Sequence, residues 1–167
     1  MNKKKPLTHE ITEDVALKIK KIIGGNYQQA ALGTIDDTGI PMVTKVIPMN
    51  YNDTIYLLIS DLSEHTKNLN ANPNASLYFA QEETHKIKSN NPRLTLQGKF
   101  KKVELKKDDP NFQMLLQNYN KVEPGSKMWV CLLILISMLL KRKRKFLLKV
   151  LEKLIKETHE KIYIKYC

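Results

Sequence analysis

From Gln28 to Leu105 the apolar residues fall into short extended runs cut by turn-forming residues, which confines this chain to a small sheet or barrel rather than a helical bundle. Gln28 to Ile35 and Ile40 to Pro48 are two such runs, joined by Asp36-Asp37-Thr38-Gly39, a composition suited to a tight hairpin. Thr54 to Ser60 (TIYLLIS) is a third run and Ala75 to Gln81 a fourth. In Arg93 to Leu105, Leu94, Leu96, Phe100 and Val103 mark a long strand expected to bend at Gly98. Helical segments interrupt this pattern. Thr12 can cap a helix with Val15, Ile19, Ile22 and Ile23 on one face, stopped by Gly24-Gly25. Glu64 to Ala71 can follow a cap at Ser63 or Asp61 and end before Asn72-Pro73, and Asp109-Pro110 opens a helix through Tyr119. The expected fold is mainly β, α+β in detail: four or five antiparallel strands closing a small barrel, with short peripheral helices.

At 167 residues the chain is one domain's worth, enough to bury roughly two-thirds of its unfolded surface in a single core. Met1 to Glu10 is lysine-rich and passes into Glu10, Glu13 and Asp14 without an apolar run, so it lacks the hydrophobic region of a secretory signal. A cytoplasmic protein is expected. Cys131 and Cys167 form no CxxC pair, and His9, His65, His85 and His159 are scattered, so a disulfide framework, a structural zinc and metal-dependent hydrolysis find no support.

The net charge of +11 would ordinarily point to nucleic acid or an anionic membrane. Its distribution argues otherwise. Lys141 to Cys167 holds ten basic residues against Glu152, Glu157 and Glu160, a net of +7, which leaves +4 for the first 140 residues. No specific nucleic-acid partner is expected, and membrane association only through the tail.

Read together, ALGTIDDTGIPMVTKVIP, IYLLISDLSEHTKNLNANPNASLYF and PRLTLQGKFKKV resemble the FMN-binding split β-barrels of the pyridoxamine 5'-phosphate oxidase-like superfamily. The resemblance covers about Gln28 to Val103, and ISDLSEHTKNL with PRLTLQG is most similar to its HugZ-type haem-utilisation branch. It implies a homodimer with FMN at the interface. The phosphate would be held by Met42, Val43, Thr44 and Lys45 on the second strand, Ile59 and Ser60 at the end of the third, and His65, Thr66 and Lys67 in the helix after it. A dianionic phosphate is satisfied by hydroxyls and N–H groups at a helix start, supported by a cation. His65 stands where relatives place Arg or Lys, which makes phosphate binding weaker or more pH-dependent. Arg93 matches a position that contacts the flavin ring in relatives, and Gln97 is a further candidate. Several of these residues also have a structural role open to them. Ser60 and Asp61 can cap the helix, Lys45 can be a solvated strand residue, and His65 can be an ordinary helix-start residue rather than a haem ligand.

After Gly125-Ser126-Lys127 the chain reads MWVCLLILISMLL and then KRKRK. Thirteen uncharged residues are too few to span a bilayer, which takes roughly 20. Leu147, Val150, Leu151 and Leu154 then follow a helical spacing with lysines between them, within Phe146 to Tyr166. Relatives continue instead with a strand containing Asp-Phe-x-Leu-Tyr and a Gly-Phe-Gly segment. Codons able to encode Cys131 to Leu140 can, in a shifted frame, give Ser-Asp-Phe-Asn-Leu-Tyr; those for Val150 to Lys153 can give Gly-Phe-Gly-Lys. On that reading residues 1–127 are an incomplete split-barrel domain. Residues 128–167 are then an apolar, then basic, helical tail foreign to the family, a frameshift product that leaves a sheet edge open.

Three functions follow as expectations. The first is an FMN-dependent oxidoreductase or flavin-binding protein in which the flavin does the redox chemistry on an unknown small substrate. The second is a haem-binding or haem-degrading protein, in which His65 would be the iron ligand and otherwise no metal binds. The third is a non-enzymatic binder of anionic surfaces through the basic tail. No side chain stands out as a catalytic acid or base.

Overall fold

The structure is a computed structural model that describes residues 12–128 and 133–140, the latter by backbone. Helix α1 (Glu13–Ile23) begins where expected: the Thr12 side chain accepts from the Val15 N–H at 3.4 Å. Glu13 and Asp14 in its first turn and Lys20 and Lys21 in its last match the helix dipole. Strands β1 (Gln29–Ile35) and β2 (Pro41–Lys45) form the expected hairpin. The Asp36 carboxylate closes it by accepting from the N–H groups of Thr38 (2.9 Å) and Ile40 (2.8 Å), while Gly39 takes φ +90°.

The run expected from Ile40 to Pro48 divides into β2 and a separate strand β3 (Pro48–Tyr51). Pro48 has no N–H to continue a ladder, and the chain crosses here from one end of the sheet to the other. Val46 N–H still donates to Ala30 on the β1 side at 3.0 Å. The Pro48 carbonyl instead accepts from the Tyr27 hydroxyl at 3.0 Å. Asn52 and Asp53, both at positive φ, make the two-residue turn into β4 (Thr54–Ser60). Then follow α2 (Glu64–Ala71), β5 (Asn74–Ala80), β6 (Arg93–Lys102), α3 (Pro110–Val122) and β7 (Leu133–Leu140).

All pairings are antiparallel, in the order β2-β1-β5-β6-β7-β4-β3. Because only Val46 and Ile47 separate the first and last strands of that order, the sheet closes on itself as a small barrel. Among the described residues seven strands are present where four or five were expected. Gly98 does not break its strand: it pairs with Ala75 on one side and Leu140 on the other.

The open edge expected after residue 127 is not found. Strand β7 pairs with β4 from Ser60↔Leu133 to Ile55↔Met138, and with β6 from Lys102↔Ile136 to Gly98↔Leu140. A ladder asks only for free backbone N–H and C=O groups, and a proline-free apolar run such as LILISMLL meets that demand. The barrel sheet therefore runs on to Leu140, past the domain end expected at residue 127. Cys131, Cys167, His9, His159, the KRKRK run and the Phe146 to Tyr166 segment lie outside the described residues.

Two apolar clusters hold the fold. Inside the barrel, Leu32, Leu57, Leu77 and Phe79 are fully buried, with Ile19, Ile22 and Ile23 of α1 and Leu69 of α2 packed against the strands. Outside, α3 lays Phe112, Leu115 and Tyr119 over Met49 of β3 and Leu58 of β4. Strand β4 is therefore buried on both faces, which is why TIYLLIS does not alternate.

Candidate functional site

At the C-terminal end of β4 the chain turns through Asp61-Leu62-Ser63 into α2, and a cluster of hydroxyls gathers around this corner. Ser63 occupies the N-cap position of α2 without capping it through its side chain. Its hydroxyl donates instead to the Ser60 carbonyl at 2.7 Å, and the buried Thr66 hydroxyl donates to the same carbonyl at 2.6 Å. The Ser60 hydroxyl accepts from Leu62 N–H at 3.2 Å. The His65 ring lies between two hydroxyls: Nε2 is 2.8 Å from Ser63 Oγ, and Nδ1 is 3.1 Å from Thr44 Oγ1 on β2. Deeper along α2, the Asn68 amide donates to Thr34 Oγ1 of β1 at 3.1 Å, both side chains being buried. The motif thus fixes one helix to β1, β2 and β4 through side-chain hydrogen bonds.

A cavity of about 400 Å³ opens beside this corner, within the range of small-molecule sites. Lys45, Ser60, Ser63 and His65 border it from the barrel side, and Tyr119, Glu123 and Ser126 border it from α3 and the 3-10 turn after it. Burial keeps the Tyr119 phenol well above its ordinary pKa, so it remains a donor, and it gives its hydrogen to the Ile47 carbonyl at 2.6 Å. Burial also lowers the His65 pKa, which leaves the ring neutral near pH 7. Lys45, His65 and the hydroxyls of Ser60 and Ser63 around one cavity are groups of the kind that pair with a phosphate. An iron porphyrin would have to displace a hydroxyl from His65 to reach a ring nitrogen.

Of the residues singled out in the sequence, Lys45, Ile59, Ser60 and His65 border this cavity; Thr44 and Thr66 support them from behind. The Ile59 side chain itself belongs to the interior cluster. Met42 touches Asn68 through its sulfur, 3.8 Å from the amide nitrogen. Lys67 does not border the cavity: its ammonium pairs with Glu64 at 2.6 Å on the surface of α2. Val43 and Gln97 are exposed on the barrel's outer wall, and Arg93 donates to the Ser89 carbonyl at 3.1 Å in the preceding loop. Tyr119, Glu123 and Ser126 were not anticipated. The spacing of Phe112, Leu115 and Tyr119 already put Tyr119 on the apolar face of its helix, but nothing local indicated which wall that face would cover.

Among the described residues no three His, Cys, Asp or Glu side chains gather as a metal site, and no helix is long and apolar enough to cross a membrane. Several solved structures share the fold. A heme binding protein from Mycobacterium smegmatis aligns with TM-score 0.65 and 17% identity over 78% of this chain, which spans about half (53%) of that protein. HutZ from Vibrio cholerae, described as a heme storage protein, aligns with TM-score 0.64 and 20% identity over 75% of this chain and 89% of its own. A FAD-binding protein from Mesorhizobium loti aligns with TM-score 0.60 and 12% identity over 81% and 94%. At these identities the likeness is one of fold. No curated protein sequence matches the chain. The family model for pyridoxamine 5'-phosphate oxidase matches residues 19–134, ending two residues into β7. With that match over more than half of its length and the closed antiparallel barrel to go with it, the chain belongs to the pyridoxamine 5'-phosphate oxidase-like family of split barrels.

Proposed function

We propose that this protein binds FMN with the phosphate at the β4–α2 corner and works as a flavin-dependent oxidoreductase, in the cytoplasm and as a homodimer. The observation that carries the reading is the convergence of Lys45, His65 and the Ser60–Ser63 corner on one cavity. A bound flavin supplies the electron and hydride chemistry, while the chain's own groups hold and orient it. The β2-β1-β5-β6 wall supports the dimer, since Val43, Tyr78 and Gln97 are exposed on it. A second copy seated there would bring Gln97 and Arg93 toward an interfacial ligand, the role their resemblance to flavin-contacting residues implies. Residues 141–167 stand outside this barrel domain in the proposal.

Titration with FMN and with riboflavin tests it. FMN should bind more tightly, because only it carries the phosphate. Lys45→Ala should weaken FMN by about 1.5–3 kcal/mol if the ammonium hydrogen-bonds the phosphate directly. Lys67→Ala should cost much less, since that side chain is held by Glu64. Equal affinity for the two flavins would reject the phosphate assignment.

Haem is the second reading, favoured by one observation: among the described residues His65 is the histidine that borders the cavity. It predicts a Soret band on haem titration that His65→Ala abolishes.

A further inference from the structure

Helix α3 is followed by Glu123-Pro124-Gly125-Ser126, and this run gives the cavity a second side of opposite character. A residue before proline is pushed out of the helical region, so the helix stops at Val122 and Glu123 turns off it at φ −133°, ψ 90°. Its backbone stays tied at both ends. The Glu123 N–H donates to the Tyr119 carbonyl at 2.9 Å, and the Glu123 carbonyl accepts from the Ser126 N–H at 3.1 Å. The carboxylate folds back over its own turn, where Oε1 accepts from the Gly125 N–H at 3.0 Å. A Cβ at residue 125 would come within 2.9 Å of that oxygen, so glycine leaves it the room.

Tyr119 and Glu123 both border the cavity. Burial above all, with the Glu123 charge among the lesser causes, disfavours the Tyr119 phenolate, which sets the carboxylate in the neighbourhood of that hydroxyl. Among the described residues no cation pairs with Glu123, and Oε2 has no hydrogen-bond donor. A carboxylate accepts and does not donate. The cavity is therefore two-sided: Lys45, His65, Ser60 and Ser63 can give hydrogens to an anion, whereas Glu123 takes hydrogens and repels an anion.

We propose that Glu123 selects the class of phosphate ester this cavity admits, its carboxylate accepting from hydroxyl groups on the chain that follows the phosphate. A polyol phosphate is then held at both sides, and an alkyl phosphate at one. In FMN the matching groups are the ribityl hydroxyls. Repulsion from the same carboxylate directs the phosphate toward Lys45 and penalises an anion that brings no hydroxyls, so the discrimination has an attractive and a repulsive arm.

The inference rests on the phosphate site proposed above, and its test separates the two. FMN-loaded protein is titrated with ribitol 5-phosphate and with n-pentyl phosphate, which share the phosphate and the chain length and differ in the hydroxyls; the flavin fluorescence released gives each affinity. In Glu123→Gln, whose amide oxygen can still accept from the Gly125 N–H, the polyol ester should bind more weakly and the alkyl ester as well or better. The preference for ribitol 5-phosphate over pentyl phosphate should fall by about fivefold to tenfold, the difference between a charged and a neutral acceptor. Gly125→Ala should lower it too, because its Cβ displaces the carboxylate while the charge remains, and this variant decides the matter if Glu123→Gln does not fold. Equal shifts for the two esters, or none, overturn the inference and leave the FMN site standing: Glu123 would then be a turn residue or an unselective charge. FMN that fails to bind the unaltered protein, or that neither ester displaces, overturns both.

Discussion

The two outer walls of this barrel differ: among the described residues one is covered by a helix and the other is not. On the β3–β4 wall the outward positions are large: Met49 and Leu58 are buried under Phe112, Leu115 and Tyr119 of α3. On the β2-β1-β5-β6 wall the register sets Val43, Gly33, Ser76 and Gln97 in one row, and Lys45, Ala31, Tyr78 and Thr95 in the next. Most of these are short. A Cβ at Gly33 would come within 2.8 Å of Ser76 Oγ, so any larger residue there requires the serine side chain to turn away. Large outward residues are covered by the chain's own helix, whereas small ones leave a flat surface. The candidate cavity lies where the covered wall ends, bordered by Tyr119 of α3 on one side and by Lys45, from the bare wall's last strand, on the other.

The largest effect should come from uncovering the first wall. Phe112 is 5% exposed in the centre of the α3 cluster, so Phe112→Ala removes a full aromatic side chain and leaves a void. A loss of about 3–5 kcal/mol in unfolding free energy is expected from urea denaturation. A loss below about 1 kcal/mol would mean that α3 is not what holds this wall. Tyr119→Phe is gentler. It keeps the packing but leaves the half-buried Ile47 carbonyl without its 2.6 Å donor, so about 1–3 kcal/mol is expected from the same measurement. Because Ile47 sits where the chain passes from β2 to β3, the variant should also loosen the cavity. Backbone hydrogen exchange near Val46–Pro48 would register that, and unchanged protection would separate the tyrosine from the crossover.

Much of the fold could be read from sequence, because local rules determine it. Thr12 caps α1, TIYLLIS is β4, and Glu64 to Ala71 is α2, each as expected. The turn at Asp36 to Gly39 was legible because one carboxylate and one glycine make it. What escaped were events that join distant parts of the chain. Pro48 ends a ladder only if the partner strand is known, and Tyr119 meets a carbonyl 72 residues away. The two lysines show the same limit at the site. Lys45 and Lys67 looked equivalent, yet Glu64, three residues earlier on the same helix face, holds Lys67 at the surface. The closing strand escaped for a different reason: the slot between β4 and β6 is filled through backbone groups that any apolar run can supply.

The smallest effect on stability is expected on the bare wall, at Val43, which is 71% exposed and stands opposite Gly33. In a monomer, Val43→Asp puts a carboxylate into water at the cost of some strand propensity, so its unfolding free energy should change by less than about 1 kcal/mol. In a dimer joined through this wall the same carboxylate would be taken out of water beside Gly33 and Ser76, which costs several kcal/mol unless it is paired. The two outcomes separate cleanly in sedimentation velocity combined with denaturation. A dimeric parent and a folded, monomeric Val43→Asp variant would assign the bare wall as the interface. If that monomer also lost FMN, the ligand would need groups from both copies, as the position of Gln97 on the same wall suggests. A monomeric parent would sink the dimer, and a Val43→Asp variant that remains dimeric would move the interface to another face.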